Sequence, residues 1–91
     1  MAVTIKLPAQ LRAAAGNATE AQVDGATVGA ALDSLYAQHG ELRERISDDA
    51  GDLRRFVNVY LGGEDIRFLD GLDTPVSDGD ELTILPAVAG G

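Results

Sequence analysis

The sequence predicts an α+β domain: a mixed β-sheet covered on one face by one main helix plus a short helix. Three observations predict it. Residues 3–7 and 56–61 alternate apolar and other side chains with the period of two that a half-buried strand needs. Between them Val28, Ala31, Leu32, Leu35 and Tyr36 recur at the spacing of a single helical face. Turn-forming glycine, aspartate and asparagine punctuate the rest, giving the order strand, strand, helix, then three further strands.

The first strand, residues 3–7, stops at Pro8, whose nitrogen has no hydrogen for a ladder. Residues 9–17, with Gly16 beside Asn17, read as a hairpin connection. Residues 19–23 read as a weaker second strand, which turns at Asp24 and Gly25. Thr27 is placed to cap the main helix, because its hydroxyl can accept from an otherwise unpaired first-turn amide. Gly40 is placed to close that helix in a left-handed conformation. A shorter helix is expected over 41–47 with Leu42 and Ile46 inward, and a surface loop over 48–52.

In the strand 56–61, Val57, Val59 and Leu61 are expected to face the core, with Phe56, Asn58 and Tyr60 on the other side. Gly62 and Gly63 suit a two-residue hairpin turn that needs positive φ. Ile66 and Phe68 then mark a short strand. After a turn at 77–80, Leu82 and Ile84 are the inward residues of the last strand, which Pro86 ends. Which strands pair does not follow from this pattern.

At 91 residues the chain makes one domain, expected over 1–86, with 87–91 as a tail. Its 45% hydrophobic content supports a core. Without cysteine there is no disulfide, thiolate metal site or sulfur nucleophile. The formal charge is −8, from 15 acidic and 7 basic residues, and Lys6 is the single lysine. Such a surface repels phosphate backbones and anionic lipids, which argues against nucleic acid and membranes as partners. It would instead steer a partner that docks through a basic face. No apolar run is long enough to span a bilayer and no signal peptide opens the chain, so the expected address is the cytoplasm.

Few side chains are candidates for chemistry. His39 stands alone at the expected end of the main helix, where it suits the helix dipole and has no second ligand for a metal. Asp78, Asp80 and Glu81 around Gly79 lack the further oxygen ligands of a calcium loop and read as turn chemistry. Asn17, Ala18 and Thr19 form an incidental glycosylation sequon. The glycine pairs precede no helix whose amides could cradle a phosphate, and no metal site or bound cofactor is expected.

The tail is the remaining candidate. After Pro86 come Ala87, Val88, Ala89, Gly90 and Gly91. Residues without bulk at Cβ can thread a narrow active site and carry the Gly91 carboxylate into it, Ala87 to Ala89 giving reach and Gly90 clearance. A carboxylate is a poor acyl donor until adenylation gives it a leaving group that sulfur or nitrogen displaces.

Residues 77–91, SDGDELTILPAVAGG, resemble the end of the MoaD/ThiS sulfur carriers, the ubiquitin-like β-grasp proteins of molybdopterin and thiamin synthesis. Pro8-Ala9-Gln10-Leu11-Arg12 with Gly16 is similar to the first loop of the MoaD group. Arg55 to Asn58, Glu64 to Phe68 and the AVAGG ending are most similar to the actinobacterial branch that serves cysteine synthesis. The resemblance implies the β-grasp fold over the whole chain and a carrier, not an enzyme. It implies that a ubiquitin-activating-like adenylating enzyme of MoeB/ThiF type uses ATP on Gly91. A sulfur donor then makes the thiocarboxylate, and a sulfur-accepting biosynthetic enzyme consumes it. For docking, Leu85 follows inward Ile84 and is expected on the outer sheet face with Phe56 and Tyr60, while Arg12 matches a first-loop arginine of MoaD-like carriers. The same activated Gly91 would equally serve a protein modifier conjugated to target lysines, and a third alternative is a binding module with an inert tail.

Overall fold

The computed structural model describes residues 2–86, and every expectation placed on 87–91 lies outside them. One sheet holds five strands: β1 (Ala2–Lys6), β2 (Glu20–Asp24), β3 (Val57–Leu61), β4 (Glu64–Asp65) and β5 (Glu81–Pro86). Their order is β2-β1-β5-β3-β4. β1 and β5 run parallel, with Ile5 opposite Leu82, and the other three pairings are antiparallel. The first and last strands of the sheet are therefore neighbours in it. Three short or medium helices accompany the sheet: α1 (Ala9–Arg12), α2 (Val28–Gln38) and α3 (Glu41–Ile46). This mixed sheet gripping one main helix is the β-grasp fold.

The core forms where α2 and α3 meet the inner face of the sheet. Val28, Ala31, Leu32 and Leu35 of α2 and Leu42 and Ile46 of α3 are buried with Val3, Ile5, Val59, Leu82 and Ile84. Leu61 is half-buried and packs against them. At the start of α2, the Ala30 amide donates to Thr27 Oγ1 at 3.1 Å and the Val28 amide to the Thr74 carbonyl at 2.9 Å. Two of the amides that a helix start leaves unpaired are thereby met, one by the expected cap and one by a distant strand-like segment. No helix among the described residues is long and apolar enough to cross a membrane.

Three local expectations need correction. Residues 9–17 connect β1 to β2 as expected but do so through α1 and a 3₁₀ turn at Ala13–Ala15. Gly40 is right-handed (φ −56°, ψ −31°), and the break falls on His39 (φ −136°, ψ 80°). α3 starts at once, its Leu42 amide donating to the His39 carbonyl at 3.0 Å, which leaves no room for a left-handed closing residue. Ile66 and Phe68 belong to no strand: after the positive-φ turn at Gly62 and Gly63, β4 is only Glu64–Asp65, and Ile66–Phe68 is a 3₁₀ turn. The Asp65 carboxylate accepts from the Arg67 amide at 2.8 Å, a local bond that competes with continuing the ladder. Ile66 still reaches the core, while Phe68 is 83% exposed.

Candidate functional site

The end of β5 is the place where the chain leaves the sheet, so the geometry around Leu85 and Pro86 decides what the tail emerges beside. β5 alternates buried Leu82 and Ile84 with Leu85, which is 44% exposed and lies opposite Asn58 of β3. Because β1 is parallel to β5, the loop after β1 comes to the same end of the sheet. There Pro8 opens α1, and Arg12 closes it with its Nε donating to the Leu7 carbonyl at 3.2 Å.

Two grooves flank this exit and share Pro8 and Ile84. One, of about 350 Å³, runs past Lys6, Arg12, Thr19, Thr83 and Leu85. The other, of about 320 Å³, is walled by Leu11, Phe56 and Val57, with Arg45 and Arg54 at its border. α3 is held against this second groove by Arg54, whose Nε donates to the Glu44 carbonyl at 2.6 Å. Lys6 lies 3.9 Å from Glu20, a pair in which both side chains are about half exposed (50% and 46%) and which therefore contributes little to stability.

The expected docking residues are thus brought together in part. Leu85 and Arg12 border the same groove. Tyr60 is half-buried in β3 opposite Thr83, a diagonal neighbour of Leu85 on the outer face. Phe56 differs from expectation. A turn closed by the Val57 amide on the Arg54 carbonyl (3.0 Å) precedes β3, so Phe56 escapes the strand's alternation. It is 50% exposed and faces the groove shared with inner-face Val57 and Ile84. Pro8, Leu11 and Arg45 were not anticipated as site residues. The available signal was Arg54-Arg55 flanking Phe56 in an otherwise acidic chain.

The other candidates take structural places. His39 donates its amide to the Leu35 carbonyl at 2.8 Å as the cap of α2. Asp78 Oδ1 accepts from the Ala2 amide at 2.8 Å and Asp80 Oδ2 from the Ser77 amide at 2.7 Å, as turn carboxylates do.

A five-stranded grasp around one helix, with a central strand that ends beside two grooves, defines the ubiquitin-like class of β-grasp proteins. Within that class the chain belongs to the ThiS family, whose model matches residues 5–91. It is 45% identical to the sulfur carrier protein CysO of Mycobacterium tuberculosis, over all of both chains. The CysO in a crystallised BexX/CysO complex of Amycolatopsis orientalis is similar at 44% identity and a TM-score of 0.90, covering 98% of this chain and 99% of that one. Small archaeal modifier protein 1 of Haloferax volcanii is 42% identical, over 94% of this chain and 97% of its own.

Proposed function

We propose that this protein is a sulfur carrier acting through the carboxylate of Gly91. A MoeB/ThiF-type adenylating enzyme joins that carboxylate to AMP from ATP and releases pyrophosphate. Sulfur delivered by a donor at the sulfide level, as HS⁻, then attacks the acyl carbon, AMP leaves with the bond electrons, and a thiocarboxylate remains. A biosynthetic enzyme takes the sulfur into cysteine or another sulfur-containing metabolite. The carrier domain is residues 1–86, and residues 87–91 enter the partner's active site. Leu85, Phe56, Tyr60 and Arg12 form the docking surface, and the catalytic groups belong to the partners.

The observation that carries this reading is similarity along the full length to CysO, a sulfur carrier. The position of β5 supports it, because the exit lies between grooves that a partner can cover while the tail is inside it. The CysO relative crystallised with BexX supports docking on a partner protein. Similarity to small archaeal modifier protein 1 favours a second reading, in which the same adenylate ends as an isopeptide on a target lysine.

Intact-mass measurement after incubation with the adenylating enzyme, ATP and a sulfur donor separates the two. A carrier gains one sulfur for one oxygen; a modifier is found in conjugates of higher mass. Deleting Gly91 should abolish ATP–pyrophosphate exchange and leave the thermal melt unchanged. Exchange that survives the deletion in a folded protein would sink the mechanism.

A further inference from the structure

The charge of the whole chain and the charge around the tail exit have opposite signs. Lys6 and Arg12 border one groove and Arg45 and Arg54 the other, while Arg55 adjoins Phe56. Of the 15 acidic side chains only Glu20 and Glu44 border these grooves. Four cations thus line the grooves against two carboxylates, an excess of two, with Arg55 next to Phe56 in sequence, whereas Arg43 and Arg67 are left with the other 13 acidic side chains. The two cations outside have internal work: Arg43 lies over the Tyr36 ring at 5.2 Å, and Arg67 donates to Asn58 Oδ1 and to the Val57 carbonyl. Arg45 and Arg55 are different: their side chains make no hydrogen bond or ion pair among the described residues. Between the cations lies apolar surface from Pro8, Leu11, Phe56 and Leu85.

We infer that the docking surface of the activating enzyme is acidic around an apolar centre: carboxylates face Arg45, Arg55 and Arg12 while an apolar side chain enters the Leu11–Phe56 groove. This deepens the proposed function and rests on it. A body whose acidic side chains lie mostly away from its exit orients on approach to such a surface, with the tail leading. The partner with a basic docking face that overall composition suggests would meet the wrong end of the molecule. Arginine suits the task, since its planar guanidinium pairs with a carboxylate through two parallel bonds.

The test is ATP–pyrophosphate exchange by the MoeB/ThiF-type enzyme with the full-length protein as substrate, at ionic strengths from ~0.01 to ~0.15 M, over which the Debye length falls from about 30 to about 8 Å. For the wild type, the half-saturating concentration should rise with salt. Arg45→Glu should raise it about tenfold at low salt, with maximal rate and melting temperature retained, and flatten the salt dependence. Arg55→Glu should act in the same direction. The double variant Ala30→Glu/Ala37→Glu makes the same change in net charge on the exposed side of α2 and should have much the smaller effect. Unchanged saturation in Arg45→Glu, or an equal effect in the α2 control, overturns the acidic partner surface while leaving the carrier reading intact. Wild-type protein that supports no exchange at any ionic strength overturns the carrier reading itself.

Discussion

Gly25 stands where the chain turns from β2 into α2. A Cβ built there would lie 2.5 Å from the Ala31 nitrogen and 2.9 Å from the Ala30 carbonyl carbon, both backbone atoms of a capped helix. Nothing at the far end of a flexible side chain can move aside, so Gly25→Ala must push β2 and α2 apart. Overpacking of this kind costs about 1–3 kcal/mol. In a domain of this size each kcal/mol lowers the melting temperature by roughly 4–8 °C, so a drop of at least ~4 °C is expected by calorimetry. An unchanged melt would show that the backbone has slack here. The sequence identified Gly25 as a turn residue, but the reason it is glycine is the helix passing beside it. The same holds for Phe56, where alternation predicted an outward strand residue and a four-residue turn placed it in the groove.

At the scale of elements, the corner between α2 and α3 is closed by a buried polar pair. Tyr36 Oη and Ser47 Oγ are 2.6 Å apart, and Arg43 covers the ring. Burial pushes the Tyr36 hydroxyl above its ordinary pKa of 10.0; the Ser47 hydrogen bond lowers it in part, the Asp33 carboxylate adds to the rise and the Arg43 guanidinium opposes it. Below pH 10.0 both folded and unfolded chains keep this proton, and the contribution is fully present. As pH climbs past 10.0 the unfolded chain ionises first, and stability falls until the folded hydroxyl ionises too. Tyr36→Phe should cost about 1–3 kcal/mol at neutral pH by leaving the Ser47 hydroxyl unpaired. Urea melts should show the gap between wild type and variant narrowing above pH 10.0; a gap that widens reverses the sign. α2 and its N-terminal cap were legible, because Thr27 and a single apolar face are local signals, while its closing residue, expected at Gly40, was not. The 3₁₀ turn at Ile66–Phe68 was not, since Ile66 and Phe68 carry a strand's spacing and only the Asp65 side chain breaks it.

At the scale of the molecule, β5 is the middle strand, paired with β1 on one side and β3 on the other. Removing 87–91 takes nothing from the described sheet, so a chain ending at Pro86 should melt like the full protein. A chain ending at Glu81 loses Leu82 and Ile84 from the core. Each such side chain contributes roughly 1.5–3 kcal/mol by burial, and the ladder bonds go with them, against a net stability of only about 5–15 kcal/mol. That fragment should lack cooperative unfolding by circular dichroism; a cooperative melt would show that the grasp holds without its centre. The sequence by itself determined the α+β class, the strand and helix faces and the tail's composition, because each depends on neighbours within a few residues. It also determined the net charge of −8. Only the tertiary structure decided the parallel pairing of β1 with β5, and through it which distant residues meet at the exit. Pro8, Arg12, Arg45, Arg54 and Leu85 come from four separate stretches, so no local pattern announces them. Their charge is opposite to that of the chain as a whole, because composition sums charges while folding sorts them in space.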